Sequence, residues 1–165
     1  MKRIALSVIA VLGILACGGP KQEVRFPEPR QGYVHDFAGV LRPNVIMMLN
    51  NQLRAADKAG KTKMAVVIVP NLQGLDVADF TIQLGKKWGV GDKKSDNGTI
   101  LLIAVKERKI RIEVGYGNEG KLTDVASNQI IRKTIAPFLR DHKDDYNGGV
   151  QAGVTAILAE LGQKE

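Results

Sequence analysis

The stretch that most constrains the fold is an unbroken apolar run followed by strict alternation: TILLIAV at 99–105, a charged turn, then KIRIEV at 109–114. The first is short and bounded by Asn97-Gly98 and Lys106-Glu107-Arg108. That pattern predicts a central strand covered on both faces. The second places Ile110, Ile112 and Val114 on one face and Lys109, Arg111 and Glu113 on the other. It predicts a half-exposed strand paired antiparallel to the first through the short turn.

Beyond these strands, Gly115, Gly117 and Gly120 spell GxGxxG. In a dinucleotide site such a loop opens a helix whose N-terminus meets the pyrophosphate. Here the helix start is expected past the loop, at Thr123 or Asp124. Glu119 inside the loop would repel phosphate, and the preceding strand is a hairpin partner. A nucleotide is therefore not expected. The glycines are expected to supply positive φ in a tight loop.

Upstream, residues 33–41 lead into a helix with Pro43 in its first turn and Val45, Met48, Leu49, Leu53 and Ala56 at helical spacing. MAVVIV at 64–69, closed by Pro70, is a second buried strand. Asp76 can cap a helix whose inward stripe is Val77, Phe80, Leu84 and Trp88, a core stripe rather than a cofactor box. A polar loop, 89–98, returns to the central strand, so 64–105 is expected to be a parallel, right-handed crossover. Downstream, Val125, Ile130, Ile131 and Phe138 mark the inward face of one helix, weakened at its end by Pro137. Asp144 or Asp145 starts a last helix with Tyr146, Val150, Val154, Ile157, Leu158 and Leu161 on one stripe. Its Gly148, Gly149 and Gly153 are expected to allow close packing.

With 165 residues, 44% hydrophobic and 25% charged, the chain has enough apolar material for one domain without disulfides. It contains one cysteine. Lys2 and Arg3 precede an apolar run, 4–16, too short to span a bilayer. The run ends Leu15-Ala16-Cys17-Gly18, which resembles a bacterial lipobox. The expectation is a lipoprotein signal peptide at 1–16, a lipidated Cys17 with a Pro-rich unpacked spacer at 17–32, and a domain at 33–162. Loss of Lys2 and Arg3 would lower the formal charge of +7 by two units. The remaining basic residues are scattered without aromatic interleaving, so nucleic-acid binding is not expected.

Several motifs then coincide in order: HDFAGVL at 35–41, KWGVG at 87–91, DNG at 96–98, RKIRIEVGYG at 108–117, LTD at 122–124, IAPF at 135–138, and Asp145-Tyr146 with Gly149. In this the chain resembles the TPM domain family. The resemblance implies a three-layer α/β/α sandwich with a small mixed sheet and about four helices. It implies an envelope or thylakoid-lumen setting. Members are described as acid phosphatases, as calcium-binding proteins, or as assembly and repair factors for membrane complexes. Many bacterial members carry a C-terminal membrane helix. Here a lipid anchor is expected in that role.

No catalytic nucleophile is expected. Cys17 is assigned to the lipid, His35 and His142 are the only histidines, and no serine sits in a recognisable elbow. The chemistry left is carboxylate plus hard cation. Asp36, Asp96, Glu119 and Asp124 occupy loop positions that an open α/β sheet can bring to one edge. Oxygen-rich clusters suit calcium, or magnesium. The family's acidic positions fall on Asp36, Asp96 and Asp124. Each also has a local use: Asp124 as a cap, Asp96 in the DNG turn, Asp36 as a backbone acceptor.

Two functions follow as expectations. One is a membrane-tethered envelope lipoprotein that binds a divalent cation and an envelope protein partner, on the periplasmic face of the outer membrane in a Gram-negative cell. The other is a metal-assisted acid phosphatase acting on phosphomonoesters.

Overall fold

The computed structural model describes residues 24–141 and 144–162. The expected leader at 1–16, Cys17, the spacer as far as residue 23, and His142 lie outside them. None of the helices formed by the described residues is long and apolar enough to cross a membrane.

The strands are β1 (Val34–Asp36), β2 (Lys63–Val69), β3 (Gly98–Ala104) and β4 (Lys109–Val114). They form one sheet in the order β1-β2-β3-β4. β1, β2 and β3 are parallel, and β4 runs antiparallel to β3. The hairpin expected at the centre of the chain is present, and β3 is buried along its whole length.

Side-chain alternation divides the core in two. Met64, Val66, Ile68, Leu101, Ile103 and Ile112 face one side, against α1 (Pro43–Lys58) and α5 (Tyr146–Gly162). Ala65, Val67, Val69, Ile100, Leu102 and Ala104 face the other, against Phe80 and Leu84 of α2 (Val77–Trp88). This is the expected three-layer α/β/α sandwich. The parallel crossover through α2 is also present. Yet α1 and α2 join neighbouring strands in the same direction along the sheet and lie on opposite faces. Two right-handed crossovers would place them on one face, so only one of the two has the usual hand.

Local chemistry explains the helix ends. Asp76 accepts from the Ala78 N–H at 2.8 Å and starts α2, and Gly89, at φ 63°, ends it in the left-handed conformation. Thr123, rather than Asp124, caps α3 (Asp124–Gln129) through its hydroxyl. From α3 the chain passes through a π-helical stretch, Ile130–Ile135, into α4 (Ala136–Asp141). An α-helix would press the Pro137 ring on the carbonyl four residues back, and the widened turn just before it provides room.

Three expectations are corrected. Residues 34–36 form a strand, which three residues are too few to signal by alternation. Val125 points outward and is 67% exposed, because it stands five residues before Ile130, about 140° away around an α-helix, and the inward face of α3 is carried by Ala126 and Ser127. Residues 24–32 are not an unpacked spacer. Val24 and Phe26 pack on the α2 side of the core. The Phe26 and Phe80 rings lie 5.0 Å apart, and Gln73 exchanges two hydrogen bonds with the Arg25 backbone. Burial of a phenyl ring outweighs the stiffness that proline gives to a free chain.

Candidate functional site

In the parallel part of the sheet the strand ends define two rims. Asp36 closes β1, level with Ile68 and Ile103. Gly98 opens β3, level with Lys63. From Gly98 to Ile103 the strand rises roughly 17 Å, and Asp96 lies two residues further out. Asp36 and Asp96 therefore stand at opposite rims and share no site.

At its rim Asp36 is buried, and both carboxylate oxygens are engaged. Oδ1 accepts from the N–H groups of Ala38 (3.1 Å) and Gly39 (2.8 Å), and Oδ2 from Leu41 (2.7 Å). This carboxylate folds the turn into α1. Its neighbour His35 is also buried, with Nδ1 accepting from the Arg30 N–H at 3.1 Å. The Trp88 ring meets the imidazole edge-on at 4.7 Å. Burial, and then the Arg30 charge, push the His35 pKa down to about 4. A neutral, enclosed imidazole of this kind is a structural group.

At the other rim the loop before β3 meets the loop after β4. Asp92 organises the first, its Oδ1 accepting from Lys94 (2.9 Å) and Ser95 (3.3 Å) N–H groups. Those bonds hold the Asp92 carboxyl below its ordinary pKa. Asp96 adopts φ 44°, a left-handed conformation that aspartate tolerates better than most residues. Its Oδ2 accepts from the Tyr116 N–H at 3.2 Å and its carbonyl from the Gly117 N–H at 3.1 Å.

The glycines of the GxGxxG sequence are explained by this contact, and the expectation of positive φ is corrected. None of the three is among the positive-φ residues. A Cβ on Gly115 would strike the Asp96 carbonyl, and one on Gly117 the Ser95 carbonyl. Glycine is needed at both because two backbones touch there. A Cβ on Gly120 would meet nothing.

Together the two loops and α2 enclose a cleft of about 550 Å³. Asp96 and Glu119 both line it, with Asp92, Glu113, Lys86 and Lys93. Asp124 is exposed at the start of α3 and is not among the lining residues. Of the four carboxylates expected to meet, the structure brings two to one cleft. Among the described residues no three acidic, histidine or cysteine side chains are drawn together closely enough to hold a metal ion. The four-carboxylate set does not fit a cation. Asp96 and Glu119 offer oxygen donors that further ligands, carbonyl or water, would have to complete. Asp92, Glu113, Lys86 and Lys93 were not singled out from the sequence. The signal available was that the polar face of β4 and the end of α2 flank the same loop.

A domain with this sheet order, three layers and glycine-tightened cleft is an α/β/α sandwich of a defined class. The sequence profile of the TPM domain matches residues 34–160, and the chain belongs to that family. The solution structure of the N-terminal domain of a protein from P. gingivalis is similar, with 35% identity and a TM-score of 0.72, over 78% of this chain and 81% of that one. The N-terminal domain of the cg2496 protein from Corynebacterium glutamicum shares the fold at 19% identity and TM-score 0.60, over 87% of this chain and 90% of that one. No curated protein matches the chain.

Proposed function

We propose that this TPM domain is a membrane-tethered interaction module of the bacterial envelope whose α2–β4 cleft takes a divalent cation, calcium before magnesium. The observation that supports the reading is the joining of two acidic loops: Asp96 and Glu119 face one cleft, and the Asp96 backbone is pinned against the second loop. Oxygen donors on both loops suit a hard cation that tolerates irregular coordination, which favours calcium. Binding there would stiffen the two loops together and present a fixed surface to an envelope protein. The lipobox-like sequence ending at Cys17 supports tethering to lipid. Asp36 and Asp124 have no part in this smaller site.

The test is calorimetric titration of the full-length chain with calcium chloride, beside Asp96→Asn and Glu119→Gln. Heat and a rise in Tm for the parent, lost in both variants, support the reading. A parent that gives neither overturns it. Lys86 and Lys93 at the same cleft supply charges that suit a phosphate and keep the phosphatase reading in view. Turnover of a phosphomonoester that survives Asp96→Asn would remove it.

A further inference from the structure

Among the described residues β4 has a strand on one side only. The Gly115 N–H donates to the Gly98 carbonyl at 2.7 Å, and the register pairs Ile100 with Glu113, Leu102 with Arg111 and Ala104 with Lys109. Antiparallel pairs alternate between bonded and non-bonded. Lys109, Arg111 and Glu113 therefore spend their backbone groups on β3. Ile110, Ile112 and Val114 aim theirs at the open edge. An edge of this kind is a template for another strand unless its side chains oppose the approach.

The side chains select the incoming strand. Arg111 and Glu113 lie on the α2 face of β4 and pair with each other, Arg111 Nε to Glu113 Oε2 at 2.8 Å. We propose that the open edge of β4 receives β4 of a second copy, antiparallel, with Ile112 on the two-fold axis. The edge groups permit only registers in which the outward residues face one another. With Ile112 opposite its own copy, Ile110 faces Val114 and Arg111 faces Glu113, twice over by symmetry. Opposite charges directly across a strand pair attract. Sliding one way sets Arg111 against Arg111, and sliding the other sets Glu113 against Glu113. A further step puts Lys109 against Arg111. A second step the other way, Val114 against Val114, sets Glu113 opposite Gly115 and leaves most of the strand unpaired. Only the central register pairs the strand along its length without a like-charge collision, and it adds about six backbone hydrogen bonds.

The two-fold axis stands perpendicular to the sheet, so α2 of one copy lies on the same side as α2 of the other. The two sheets join into one. Tyr116, 80% exposed just beyond the end of β4, runs out alongside the partner copy. No backbone group of the edge belongs to Asp96 or Glu119, although the Glu113 side chain also lines the cleft; Arg111 is not among the cleft-lining residues, so Arg111→Glu tests the pairing apart from the cation.

The test uses the full-length chain in density-matched detergent, followed by sedimentation across a concentration series. Arg111→Glu and Glu113→Arg each set like charges across both symmetric positions. Each is expected to raise the dimer dissociation constant about tenfold or more. The double exchange R111E/E113R restores opposite charges and is expected to bring the dimer back. Circular dichroism confirms that each variant is folded. A parent that remains monomeric, a dimer indifferent to the single reversals, or a double exchange that fails to rescue each overturns the proposal.

Discussion

The indole N–H of Trp88, at the end of α2, donates to the carbonyl of Pro27 at 2.9 Å. That bond ties the N-terminal segment to the domain, beside an ion pair of Lys87 with Glu28 at 2.7 Å and the Arg30 guanidinium 4.7 Å from the Phe37 ring centroid. Trp88 is the one tryptophan of the chain, so its fluorescence reports this docking directly. Phe26→Ala removes the ring that packs on Phe80. It is expected to shift Trp88 emission to longer wavelength and to lower stability by about 1–3 kcal/mol. Emission unchanged from the parent would mean that the segment is not docked in solution.

Asp36→Ala is expected to cost roughly 3 kcal/mol, because three backbone N–H groups lose a charged acceptor in a buried turn. Urea unfolding measures it. Calcium response in the folded fraction should be unchanged. A variant of parental stability that lost cation binding would return Asp36 to a ligand role.

Gly117→Ala and Gly115→Ala are expected to destabilise by about 1–3 kcal/mol, since each methyl collides with a carbonyl of the neighbouring loop. Gly120→Ala, with open space around it, should be neutral or slightly stabilising. Thermal melts of the three side by side check the contrast. Equal behaviour of all three would show that the loops do not touch.

His35 makes stability depend on pH in a defined window. Its pKa falls from 6.5 to about 4 on folding, so between those values the unfolded chain holds a proton that the native state refuses. Stability from this group is complete above pH 6.5 and is lost as pH falls toward 4. The full loss is about 3 kcal/mol. His35→Gln should flatten urea-derived stability across that interval, and a slope equal to the parent's would assign the effect to other groups.

Much of the architecture was readable from neighbours in the chain. The β3–β4 hairpin, β2, the caps at Asp76 and Thr123 and the buried Phe80 and Leu84 all follow from alternation, helical spacing or turn chemistry. β1 escaped because three residues carry no period. The segment at 24–32 escaped because proline content describes a free chain and says nothing of a phenyl ring finding a partner far along the sequence. The π-helical stretch before Pro137 was visible only as a weak point.

Side-chain pattern along the chain determined most of the strands and helices and the apolar faces of β2, β3 and β4, because these depend on contacts within a few residues; the three-layer sandwich was implied by the resemblance to the TPM family. Which carboxylates become neighbours was decided only by tertiary structure. Strand order and direction sent Asp36 to one rim and Asp96 with Glu119 to the other, and a backbone contact between remote loops, rather than a need for positive φ, placed glycine at 115 and 117. Such adjacency arises from pairing across tens of residues, and no local period records it.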